Sequence, residues 1–162
     1  MQQRTEDREP NTVHGDAIMV ESKNVLLVTN SATDGEVYLI KEALTQAKER
    51  NIKIRLNLVH VIPNLPTCYF NIPSMVLLAE SYYEEAGNTL ATIGGSLGID
   101  KKGQWLISGK IKTEVLRLAN KLHTHFILAS STSIQELHKS FLFVKKEQYS
   151  TPIRSIGSLV NI

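Results

Sequence analysis

The chain is short of cysteine, net charge and, over one long stretch, glycine. Its single cysteine, Cys68, excludes an intramolecular disulfide, which fits a reducing cytoplasm. That cysteine sits in a proline-rich loop, whereas a reactive thiol wants a basic or helix-N-terminal setting. The opening residues, Met1 to Asp16, are polar and lack the apolar core of a signal peptide. The longest apolar runs fall far short of a membrane span, so a cytoplasmic protein with no membrane partner is expected. A net charge of +2 gives no strong electrostatic grip on nucleic acid. The charge is uneven, −3 over residues 1–22 and +6 over residues 100–162, a pattern that solvated lysines on helix surfaces explain. The most informative absence is glycine: the 47 residues from Lys110 to Ile156 contain none. Where an α/β fold grips phosphate after a strand, glycines let backbone N–H groups close on the oxygens. Here the turn after a strand ending in Ala129-Ser130-Ser131 offers Thr132 and Ser133 instead.

What is present is an ordinary globular composition, 42% hydrophobic and 21% charged over 162 residues, the size of one domain. Residues 1–22 are polar and aperiodic and are expected to form a flexible leader, with the folded domain spanning 23–162. Val25 to Val28 is a continuous apolar run, as in a strand buried on both faces. Thr33 and Glu36 have capping-box spacing, and Val37, Ile40, Leu44 and Ala47 mark one helical face. A second strand is expected from Ile54 to Ile62, then a loop from Pro63 to Asn71 that is a candidate lid. Pro73 opens a long helix whose stripe is Met75, Ala79, Tyr82, Ala86, Leu90, Ile93 and Leu97, with Gly94, Gly95 and Gly98 at its end. Trp105 to Ile107 is a third strand, Ile111 to Leu122 a third helix, and Phe126 to Ala129 a fourth strand. Ser133 and Glu136 repeat the capping-box spacing for a helix that runs on to Val144, and Pro152 to Val160 is expected as a fifth strand.

Alternating β and α elements predict a single doubly wound, five-stranded parallel sheet with helices on both faces. The apolar first and fourth strands belong at the centre and flank the crevice where ligands bind in such sheets. The polar-interrupted third and fifth strands belong at the edges.

From Lys23 to about Val160 these residues resemble the universal stress protein family. Val25–Ser31 is similar to the family's first strand, which ends in an acidic and a small residue. Leu56–Pro63 is similar to its second strand, and Gly109–Ser131 to its Gly-led third helix and fourth strand. The resemblance implies a flavodoxin-like sheet, also described as adenine nucleotide alpha hydrolase-like, of order 3-2-1-4-5. One branch of the family binds nucleotide through Gly-x-x-Gly, nine residues and Gly-Ser or Gly-Thr. On this chain those glycine positions fall on Ala129, Thr132 and Leu142, with Phe143 in the hydroxyl position, and the family's acidic residue falls on Asn30. The resemblance therefore implies the branch similar to universal stress protein A, without the glycine motif and without a cofactor. A vestigial pocket for ATP or AMP would be lined by Asn30, Ser31, Val61, Ala129, Ser130, Ser131 and Thr132. The resemblance also implies a homodimer paired through the last strand, with Ile156, Leu159 and Val160 at its edge. The competing expectation is an edge protected by Arg154 and Ser158.

Other chemistry is poorly supplied. His123-Thr124-His125 lacks a nearby cysteine or carboxylate to complete a metal site. His60 is expected to hydrogen-bond around the sheet. A phosphoacceptor domain needs acids where this chain has Asn30 and Ser108, and the Ser130–Ser133 cluster has no positioned base. Tyr82-Tyr83 is expected as core and flank, not as a stacking platform for nucleic acid. The expectation is a non-enzymatic stress-response protein acting through protein or small-ligand contacts. An adenine-nucleotide binder or slow ATPase with a degenerate site is the alternative, and a redox or hydrolytic enzyme on the same fold is a further one.

Overall fold

A computed structural model describes residues 22–138 and 151–161. The expected leader lies outside these residues, apart from Ser22, and so do residues 139–150, into which the fourth helix is expected to run, with Leu142 and Phe143. The elements alternate in the expected order: β1 (Ser22–Val28), α1 (Asp34–Glu49), β2 (Lys53–Ile62), α2 (Pro73–Leu97), β3 (Gln104–Ser108), α3 (Ile111–Lys121), β4 (Phe126–Ala129), α4 (Ser131–His138) and β5 (Ile153–Ser155). All strand pairings are parallel and the order is β3-β2-β1-β4-β5. The completely apolar runs take the centre because both their faces are covered.

The period-two alternation of the strands divides the core into two layers. Leu26, Val28, Val59, Val61, Ile127 and Ala129 face α3 and α4, through Val115, Leu118, Ala119 and Leu137. Val25, Leu27, Leu58 and Leu128 face α1 and α2, through Ile40, Leu90 and Ile93. Helix α1 opens on the expected capping box: Thr33 accepts from the Glu36 backbone and Glu36 from the Thr33 backbone. Gly98 closes α2 in the left-handed region at φ 67°, where a β-carbon is costly. Gly94, in the last turn as expected, accepts from the Ile99 N–H at 2.8 Å and is buried, where an added β-carbon would run into the Gln104 amide.

Two expectations are corrected. The fourth helix opens at Ser131, one turn ahead of the Ser133–Glu136 spacing, because Ser130 takes the cap and its Oγ accepts from the Ser133 N–H at 3.2 Å. The fifth strand stops at Ser155 and a 3-10 turn follows over Ile156–Asn161. Ser158 Oγ donates to the Ser155 carbonyl at 2.6 Å, which ends the strand locally. Ile156, expected on an edge open to a second copy, is completely buried in this chain's own core. Leu159 packs beside it, and the side chain of Val160 lies outside the described residues.

Candidate functional site

The carboxyl ends of β2, β1 and β4 meet around one residue. Asn30 follows β1, in a turn closed by the Ala32 N–H on the Thr29 carbonyl at 3.1 Å. In a parallel ladder that carbonyl would take the next N–H of the neighbouring strand. The Asn30 side chain takes it instead. Its Oδ1 accepts from the Val61 N–H at 2.8 Å, and its Nδ2 donates to the Val61 carbonyl at 2.8 Å. The carboxamide thus extends the β1–β2 ladder by one rung beyond the strand. Only an amide offers a donor and an acceptor side by side for this purpose, and a carboxylate lacks the donor. Ser31, next in the turn, is exposed with φ 58°.

Asn30 also ties β1 to β4. Its backbone carbonyl accepts from Ser133 Oγ at 2.5 Å and from Ser130 Oγ at 3.4 Å. These two buried serines bind the crevice where the strand order reverses. Among the expected pocket residues, the structure therefore brings together Asn30, Val61 and Ser130. Ala129 is buried in the core of β4, and Ser131 and Thr132 are exposed on the first turn of α4. No extended loop separates β4 from α4.

Beside Asn30, a cavity of about 450 Å³ lies between the end of β2 and α2, lined by His60, Val61, Pro63, Leu65, Tyr82 and Glu85 among others. His60 reaches it from the α2 side of β2 with its Nδ1 3.0 Å from Thr29 Oγ1. The Thr29 hydroxyl donates to the Val59 carbonyl at 3.2 Å. A hydroxyl has one proton, so His60 Nδ1 is assigned the hydrogen of that contact and Nε2 is left as an acceptor. Burial pushes the His60 pKa below its ordinary 6.5, and the Glu85 carboxylate opposes part of that shift. Sequence reading placed His60 by the sheet but missed Glu85. It also counted Tyr82 in the buried stripe of α2, whereas Tyr82 stands 51% exposed at the cavity rim. Its three-four spacing with Ala79 and Ala86 was the misleading signal. No group of histidine, cysteine, aspartate and glutamate among the described residues has the geometry of a metal site.

Sequence comparison finds 31% identity over 87 residues with a universal stress protein A homolog of Coxiella burnetii, covering 52% of this chain. The match spans 60% of the length of that curated relative. No protein-family model matches the chain. A universal stress protein family structure from Burkholderia pseudomallei superposes with TM-score 0.55 at 16% identity, over 82% of this chain and 94% of that one. The chain carries the universal stress protein fold. A further universal stress protein structure, from Pseudomonas aeruginosa, superposes with TM-score 0.51 at 12% identity, over 88% of this chain and 52% of that one. The resemblance read from Val25–Ser31, Leu56–Pro63 and Gly109–Ser131 is borne out, and so is the strand order it implied. Among the described residues no helix is long and apolar enough to cross a membrane.

Proposed function

We propose that this chain is a non-enzymatic stress-response protein, similar to the universal stress protein A branch, that acts through contacts with proteins or small ligands. The observation that carries this reading is the double engagement of Asn30. At the position where the family resemblance expects an acid, both polar atoms of the side chain are already engaged by Val61. A nucleotide held through these same groups would have to displace that pair and leave buried groups to find new partners, at a cost of about 1–3 kcal/mol. The β4–α4 turn adds to this argument. It has Ala129 and Thr132 in place of glycines, and Ser130 already occupies one N–H of the first turn of α4.

Pairing with a second copy along the open side of β5 is part of the same reading. The usable edge is Ile153–Ser155 with Leu159 alongside, since Ile156 is buried. Arg154 there lies over the Phe126 ring, 5.0 Å from its centroid.

The cavity beside Asn30 and Val61 favours one alternative, a site retained for an adenine nucleotide. The two are separated by denaturing the purified protein and analysing the supernatant. The proposal expects no stoichiometric adenine nucleotide, and release of one per chain would overturn it.

A further inference from the structure

Helix α2 is longer than the core beneath it. Its 25 residues span about 37 Å at 1.5 Å per residue, yet its buried residues are Ala79, Ala86, Leu90, Ile93 and Gly94. Before Ala86 only Ala79 is buried, so the first half stands largely clear of the sheet. Around it the large apolar side chains lie open: Leu77 is 67% exposed, Phe70 57% and Ile72 47%, with Leu78 and Tyr82 beside them. Apart from this region, Tyr38 and Leu106 are the exposed large apolar residues among those described. Scattered single exposures need no explanation, but a concentration of this kind marks an interaction site. Two concavities flank the helix. One is the cavity of about 450 Å³ rimmed by Tyr82 and Glu85; the other, of about 460 Å³, is lined by Phe70, Pro73, Val76, Leu77 and Glu80. They open on opposite flanks of α2, and the second, on the flank of the exposed Leu77, is large enough to seat an anchoring side chain.

Charge selects the occupant. From Pro63 to Ile99 there is no lysine, arginine or histidine, and the acids are Glu80, Glu84 and Glu85, all exposed on α2. A second copy docked face to face about a two-fold axis would set these carboxylates against their own equivalents. We infer that the outer face of the first half of α2, with the concavity beside Leu77, is a docking surface for a basic amphipathic helix of a partner protein. Apolar side chains of that helix fill the concavity of Phe70, Pro73, Val76 and Leu77, and its lysines or arginines meet Glu80 and Glu84 on the same face. This inference rests on the protein-contact reading above and names the kind of partner.

The test titrates the full chain by calorimetry with a synthetic leucine–lysine amphipathic helix and with its leucine–glutamate counterpart. The lysine peptide is expected to bind at least about tenfold more tightly, and Leu77→Ser and Glu84→Lys are each expected to weaken it about tenfold. Glu49→Lys, at the end of α1, leaves it unchanged, and circular dichroism checks that each variant is folded. Equal affinity for the two peptides, or indifference to both α2 variants, overturns the inference. So does self-association that Leu77→Ser abolishes in the absence of peptide binding, because the surface then belongs to a second copy. The same titration with ATP present separates the two readings. Nucleotide binding with peptide binding retained defeats the non-nucleotide reading alone, whereas absence of peptide binding both with and without nucleotide defeats the docking surface.

Discussion

Asn30 concentrates the chemistry of the crevice in one side chain. Its carboxamide completes the β1–β2 ladder on Val61, and its carbonyl holds the hydroxyl of Ser133. Asn30→Asp removes the donor to the Val61 carbonyl and sets a carboxylate against it. A loss of about 1–3 kcal/mol is expected, read from the denaturation midpoint. The loss should shrink at acidic pH, where a protonated carboxyl regains a donor. An unchanged midpoint would mean that the amide does not hold the strands. His60 gives a second prediction. Its folded pKa lies below 6.5 through burial, so on acidification the unfolded chain takes up this proton before the folded one. Its contribution to stability is complete above pH 6.5, declines as the pH falls below that value, and levels off below the depressed folded pKa. Thermal melts across this range should show the decline, and His60→Gln should remove that component. The identity of Asn30 was legible in the sequence, but its partner was not. The hydrogen bond depends on β1 ending one rung before β2, which no local pattern encodes.

At the scale of elements, the ends carry most of the information. Ser130 begins α4 by capping the Ser133 N–H, while Ser133 spends its hydroxyl on Asn30. Ser130→Ala should therefore cost about 1 kcal/mol as a lost N-cap, measured by denaturant titration. Retention of full stability would return the cap to Ser133, where the Ser133–Glu136 spacing placed it. That spacing misled because four hydroxyl residues follow one another from Ser130 to Ser133, and only tertiary contact decides which one caps. Gly98→Ala should cost about 1 kcal/mol for forcing a β-carbon into the left-handed region, since φ there is 67°. An unaffected midpoint would contradict the assigned cap. The fifth strand was overread for a related reason. Ile153 to Val160 is apolar enough for a strand, yet Gly157 and Ser158 fold the chain inward and carry Ile156 into the core against α1 and α2.

The whole molecule was the most legible level. Central strands declared themselves by continuous apolar runs, edge strands by their polar interruptions, and the resulting order β3-β2-β1-β4-β5 matches the family resemblance. The open surface of α2 was hidden, because the stripe Met75, Ala79, Tyr82 and Ala86 has helical spacing whether or not a sheet lies beneath it. The crevice is bridged by the chain's own side chains: Asn30 bonds Val61 on one flank and accepts from Ser130 and Ser133 on the other. Calorimetric titration of ligand-stripped protein with ATP, ADP and AMP tests that claim most directly. The account predicts no saturable binding of any of the three below millimolar concentration. A sub-millimolar affinity for ATP would contradict it.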